Sequence, residues 1–554
     1  MSWETCLRTE FQSCESQDGE MRVSEVRMRE PVPVDLSPEE ELVLSEAATQ
    51  SFKFEIGNIS RQSGIVFAGT IFTACLGYIF KIYLARVLGA ENLGLYALGM
   101  TIVSFFGLIN AFGLPDSATR FVAVYSVSKR VEALRALLWN GSWMLLAANL
   151  IFAALLVKVG PWFVGRFYHA PQLARYLPLF AVIMITGALN SFLGKVLAGY
   201  KEVGRRTLVT RFLASPVTML IAIASISAGY ALWGYLFAQI AGAVIVMALL
   251  AFLVRRLTPA AARTPDLTKL WIGSEVWLFS AASFGIGLME FLTSQSDRVA
   301  LGFYRRPYDV GVYAVAAALV AYESIVLQSV NQIFAPVIAE VHARGELVLL
   351  GRLFQTLTKW MLALTLPLAI WMLAYAHPIM RIFGREFESG WPILIIGTCG
   401  QLVNCGVGSV GCLLFMSGNQ HRLMRVQAVM AVLMVLLCIV FVPRWGAIGA
   451  ALAAAITTAG TNALNLLEVH GALRVSPYNR SYLKLLPATA SVLFVIMLLR
   501  KASLLINSDR VVLFAALLLS YVVFLATTRV LGLDADDRLI TGAVWARIRP
   551  AFQE

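Results

Sequence analysis

The chain is predicted to be an all-α polytopic membrane protein of about 14 transmembrane helices: two six-helix bundles related by an internal repeat, then two further helices. Three observations predict this. Of 554 residues, 58% are hydrophobic and 14% charged, and mean hydropathy is +0.73; a soluble domain is about 45–50% apolar and about 25% charged. The apolar residues fall in blocks of about 20, the length that crosses a hydrocarbon layer of roughly 30 Å. The two halves also echo each other: Gly94-Leu95-Tyr96-Ala97 matches Gly311-Val312-Tyr313-Ala314 at an offset of 217. So few charges cannot cover the surface of a chain this size in water, so the lipid bilayer is its solvent.

The elements follow in order. Residues 1–58 are acidic, with Glu39-Glu40-Glu41 and Pro31, Pro33 and Pro38, and no apolar signal segment occurs in the first sixty residues. They are expected to be a disordered cytoplasmic tail. The first span is read from Ser63 to Leu84 and the second from Leu93 to Leu114. A polar, partly amphipathic interfacial segment runs from Pro115 to Arg135. Later spans start near Ala136, Leu177, Leu213, Leu232, Trp277, Val310, Thr358, Pro392, Val426, Ala447, Leu486 and Val511. This divides the chain into a first bundle at 59–256, a second at 257–472, two added helices at 473–530 and a cytoplasmic tail at 531–554.

Loop charge sets the orientation. With the acidic tail inside, inner loops hold Lys129, Arg130, Arg135, Lys201, Arg205, Arg206, Arg255, Arg256, Arg344, Arg422 and Arg474, among others. Outer loops hold about half as many, such as Arg86, Lys158, Arg175, Arg381 and Arg444. Both termini are therefore expected in the cytoplasm, with the protein in the inner membrane. The same pattern accounts for the net charge of +12 without nucleic acid as a partner.

The repeat carries further anchors. Lys81 falls opposite Arg298, again at 217, and Ala231-Leu232-Trp233-Gly234 opposite Gly446-Ala447-Ile448-Gly449 at 215. Six spans per half is an even number, so the halves share one topology about an axis along the membrane normal, a transporter arrangement.

The stretch from Lys81 to Ala123 resembles the opening of polysaccharide-export flippases, the oligosaccharide and polysaccharide branch of the multidrug/oligosaccharidyl-lipid/polysaccharide exporter superfamily. The resemblance rests on Arg86-Val87-Leu88-Gly89 with Gly94, Tyr96 and Leu98, on Gly113-Leu114 leading to Arg120, and on Asp297-Arg298 followed by Gly311 and Tyr313. It covers Ile59 to about Arg549, leaving out the acidic tail, which is unusual for the branch. It implies alternating access and a lipid-linked sugar as cargo, usually an undecaprenyl-diphosphate-linked repeat unit. It also implies a pathway setting beside a polysaccharide polymerase and glycosyltransferases.

A charge at the bilayer centre costs roughly 2.5–3.5 kcal/mol on insertion scales, so each one needs a reason. Lys81, Arg120, Lys195 and Arg298 are the candidate substrate-binding cations. For Lys81 and Lys195 the competing reading is snorkelling to the surface, and for Arg120 a positive-inside anchor. Glu290 and Glu323, taken as buried carboxylates, and Asp297 are the candidate coupling groups; a static ion pair with Arg298 is the alternative. The seven cysteines form no CxxC pair and the five histidines are scattered, so no metal or cofactor is expected. GxxxxGK[ST], HExxH and GxSxG are all absent from the sequence, and no catalytic residue is assigned. Asp534-Ala535-Asp536 has the form of a sugar-nucleotide motif, but Asp536 or Asp537 is read as the cap of a terminal helix instead. The alternative function is a cation-coupled drug exporter of the same superfamily, whose site would be acidic or aromatic. A membrane glycosyltransferase would need a long outer loop, which the span pattern leaves no room for.

Overall fold

A computed structural model describes residues 38–263, 272–503 and 509–532; Asp534-Ala535-Asp536 lies outside them. Two compact units form, residues 1–65 and 66–554. In the first, the chain is helical from Pro38 onward. The segment 38–58, expected to be disordered, is therefore helical. Its signal was local: proline at the first helical position, then three glutamates in the first turn, where the helix dipole favours acids.

The second unit is helical, with no strand among the described residues. Among the described residues eleven helices are long and apolar enough to cross a membrane, which makes the protein a multi-pass membrane protein. The first half holds the rest of α1 (Pro38–Ala111), α2 (Leu114–Val127), α3 (Val131–Arg166), α4 (Leu177–Gly199), the short α5 (Val203–Thr207), α6 (Ser215–Ser225) and α7 (Ala231–Leu257). The second half holds α8 (Ser274–Tyr304), α9 (Pro307–Ala343), α10 (Leu347–Ala374), α11 (Ala376–Phe383), α12 (Trp391–Val407), α13 (Val410–Met416) and α14 (Gln420–Leu473). The last pair, α15 (Leu485–Ser503) and α16 (Asp509–Val530), packs together and against α10. Most starts fall within a few residues of the hydropathy reading, because loss of apolar character and loss of helix coincide at a membrane surface.

Three of the eleven apolar helices double back. Backbone angles leave the helical region at Gly89, Gly229 and Gly446. The rings of Phe80 and Tyr96 both pack on Tyr235, at 6.2 and 4.9 Å. Sixteen residues of straight helix would hold those two rings about 24 Å apart, so the chain reverses at Gly89. Gly234 likewise lies against Ser225, and Gly449 against Phe441, which places reversals at Gly229 and Gly446.

These turns show the repeat in the backbone itself. Ala231 has φ 42°, ψ −125°, and Gly446, its partner at offset 215, has φ 58°, ψ −130°. Lys129 and Gly345, and Lys201 and Gly418, are further positive-φ pairs at nearly the same spacing. The second half uses glycine where the first half tolerates a side chain. Ala231→Gly is thus expected to relieve strain and raise the thermal unfolding midpoint, by about 1 kcal/mol of stability. A midpoint that falls would show that Ala231 is unstrained.

The cores explain how the halves meet. At the end bearing Gly89, residues of both halves form one continuous apolar cluster, from Leu84 and Leu98 through Phe180 and Tyr235 to Tyr313, Phe383 and Met434. At the opposite end the clusters separate. One gathers α2, α3, α4 and α7 with the start of α8, including Leu137, Phe192 and Val276. The other gathers α9, α10, α13 and α14, including Leu350 and Leu413. The two halves therefore share one core at the Gly89 end, while at the other, among the described residues, α8 packs against α2 of the first half.

Candidate functional site

Lys81 is half-buried on the first arm of α1, eight residues before the turn at Gly89. At 1.5 Å per residue that is about 12 Å of helix from the turn. The sequence reading ended this span at Leu84; the helix continues past it, so Lys81 lies deeper than expected. Arg298 is half-buried on α8 and is the charged group whose field acts on Lys81. The repeat's equivalent cations, one from each half, thus lie in each other's field. Arg298 Nη1 donates to Gln295 Oε1 at 2.9 Å. Among the described residues no carboxylate pairs with Lys81 or Arg298.

The adjacent carboxylate is otherwise engaged. Asp297 is buried, accepts the Tyr313 hydroxyl, and accepts the Arg298 backbone N–H at 2.7 Å. It joins α8 to α9 instead of neutralising Arg298. Its repeat equivalent in the first half is Phe80, and Tyr96, equivalent to Tyr313, turns to Tyr235 instead. Aromatic pairs also join the two halves: Tyr78 meets Tyr322 edge-on at 5.5 Å and Phe105 meets Phe291 at 5.6 Å.

The other candidates separate. Lys195 pairs with Asp116 at 2.6 Å and ties α4 to α2, so it is not an open cation. Arg120 is exposed at the end opposite Gly89, its guanidinium stacked 4.8 Å over Phe279 of α8. Beside it, Ser117 and Ser280 share a 2.6 Å hydrogen bond and the Tyr125 hydroxyl donates to Glu275 at 2.7 Å. Glu290 is exposed, not buried as read from hydropathy. A charge in mid-span is stable there only where it faces water, not lipid. Glu323 is fully buried, and neither of its oxygens has a hydrogen-bond partner.

The Gly89 end is closed by contacts the sequence did not reveal. A Cβ on Gly94 would lie 1.7 Å from the Pro307 carbonyl oxygen, and one on Gly311 would lie 1.9 Å from that of Ala90. Ala90 and Pro307 are themselves 217 apart, so the contact is reciprocal, as a two-fold relation between the halves requires. Arg86 Nε donates to the Ile382 carbonyl at 2.7 Å, and Tyr308 Oη to the Glu386 carbonyl at 2.6 Å. The Ala90 N–H, newly exposed by the break at Gly89, donates to Glu386 Oε2 at 2.8 Å. Glu386 thereby caps a helix of the other half. The equivalent position in the second half is Pro307, which has no N–H to cap. Glu386 carried no sequence signal, since its partner is 296 residues away.

The fold agrees with that of known proteins. The chain resembles the solved lipid II flippase MurJ in an inward closed conformation, with TM-score 0.68 at 16% identity, covering 83% of this chain and 98% of that one. It also resembles an inward-facing multidrug resistance transporter of the MATE family, with TM-score 0.58 at 14% identity, covering 73% and 94%. The succinoglycan biosynthesis transport protein ExoT of Rhizobium meliloti (strain 1021) is 23% identical over 317 residues, 56% of this chain. That match spans 60% of the relative's length. Residues 59–342, just over half of the chain, match the family described as polysaccharide biosynthesis protein, and the chain belongs to that family.

Proposed function

We propose that the protein is a flippase that carries a lipid-linked oligosaccharide or polysaccharide repeat unit across the cytoplasmic membrane by alternating access. One observation carries the reading: two symmetry-equivalent cations, Lys81 and Arg298, each within an apolar helix, lie in each other's field, and neither is ion-paired with a carboxylate among the described residues. Like charges held together repel, so the arrangement favours an anion that can face both, and a diphosphate meets that requirement. Its headgroup is strongly hydrated and cannot enter hydrocarbon unaided. Lys81 and Arg298 would replace part of that hydration with charge-assisted hydrogen bonds, while the polyprenyl tail stays in lipid. Moving one negative charge outward gains roughly 2.3 kcal/mol per 100 mV of inside-negative potential, so no ATP hydrolysis is required. A cationic-drug exporter would be poorly served by an unpaired pair of cations.

In this reading the eleven apolar helices, three of them doubled back, make fourteen crossings in two bundles, 59–256 and 257–472, with the pair 473–530 added. The Gly89 end faces outward and both termini are cytoplasmic. Reporter fusions at residues 36 and 537, both outside the described residues, are expected to report the cytoplasm; opposite signals from the two would remove the even count. The function is tested in a strain lacking this chain. Surface glycan should disappear, lipid-linked repeat units should accumulate on the inner leaflet, and the wild-type chain should restore export. Unchanged surface glycan in the deletion strain would overturn the proposal.

A further inference from the structure

A second polar site lies apart from the paired cations, inside the second half. Glu323 projects from α9 sixteen residues from Pro307, about 24 Å along the helix. It is 0% exposed, and both carboxyl oxygens lack partners. Its neighbours come from two other helices. The Thr398 hydroxyl of α12, itself fully buried, is among the described residues the one donor within reach of the carboxyl, and no well-formed hydrogen bond joins them. The titratable groups that feel its charge are the Cys405 thiol of α12 and the Tyr521 phenol of α16. Neither donates to the carboxyl: Cys405 Sγ points to the Glu323 backbone carbonyl at 3.9 Å, and Tyr521 Oη donates to the Leu364 carbonyl at 2.9 Å. The Gln401 amide nitrogen, one turn before Cys405, is also unpartnered.

An ionised carboxylate without a cation or donor is costly to bury by several kcal/mol. A dehydrated monovalent cation would want several oxygen ligands, and the side chains here offer few beyond the carboxyl. We propose that Glu323 is a proton-binding site, occupied by a proton in this closed arrangement and emptied when α9 moves and water reaches it. Helix α9 carries both ends of the coupling. Tyr322, the next residue back, packs on Tyr78 three residues from Lys81, so a shift of α9 that opens the cation site also re-exposes Glu323. Helix α16, outside the repeat, closes this site with Tyr521, which gives the added pair a role in coupling. This inference rests on the transport reading above.

The test has two arms. Infrared difference spectra of the purified full chain in nanodiscs, neutral against strongly alkaline, are expected to show a protonated-carboxyl C=O band. Glu323→Gln should remove that band and Glu290→Gln should keep it. A band untouched by Glu323→Gln, or one that appears only when sodium is withdrawn, overturns the proton site. In cells, a gradient of one pH unit biases a one-proton exchange about tenfold. Collapsing the gradient should therefore slow wild-type glycan export, while the residual export of Glu323→Gln should not respond; an equal response overturns the coupling. Intact surface glycan in the strain lacking the chain would instead sink the flippase reading, and the infrared arm would still decide the site.

Discussion

Replacing Lys81 and Arg298 together with alanine is expected to abolish glycan export while leaving the protein in the membrane. A hydrogen bond to a charged group contributes about 1.5–3 kcal/mol. Loss of one cation should then weaken headgroup binding by roughly 10- to 100-fold, and loss of both by about 10²- to 10⁴-fold. Lys81→Arg should retain much of the activity, because the charge is kept at the same depth. Glu290→Gln should do less harm, since that carboxylate is exposed and touches neither cation. Removing the cations also removes a mutual repulsion, so the double variant is expected to fold at least as well as wild type. The measurement is surface glycan at matched expression in the strain lacking the chain. Full export by the double variant would refute the cationic site and favour the drug-exporter alternative.

The second large effect is expected at the crossing of the two halves. Gly94→Ala places a methyl carbon where the Pro307 carbonyl oxygen stands, and Gly311→Ala does the same at Ala90. Backbone cannot swing aside as a side-chain tip can, so the helices must part by more than an ångström. The cost is about 1–3 kcal/mol for each substitution, which shifts the balance between closed and open states by about 10- to 100-fold. Export should fall in proportion, and outward accessibility of the Lys81 region should rise. Gly107 on the same helix has open space around it, so Gly107→Ala is the matched control and should be silent. Equal effects at Gly94 and Gly107 would remove the crossing as an outer gate. Glu386→Ala acts on the same closure through the Ala90 cap. It should be milder, about 1 kcal/mol, the usual worth of a helix cap.

The sequence by itself determined the solvent, the helical class and the repeat. These are properties of the chain read along its length: apolar blocks long enough to cross a bilayer, and matching residues at one spacing. The equivalence of Lys81 with Arg298 and of Ala231 with Gly446 was legible for that reason. Only the tertiary structure decided which charges are free. Lys195 and Asp116 are 79 residues apart and meet; Ala90 and Glu386 are 296 apart and meet. Glu290 and Glu323 are both mid-span acids by hydropathy, yet one is exposed and the other orphaned in a closed core. Each residue turns the helix by about 100°, so the face a side chain presents depends on which helices pack beside it. That is settled by packing between distant segments, and no spacing along the chain records it.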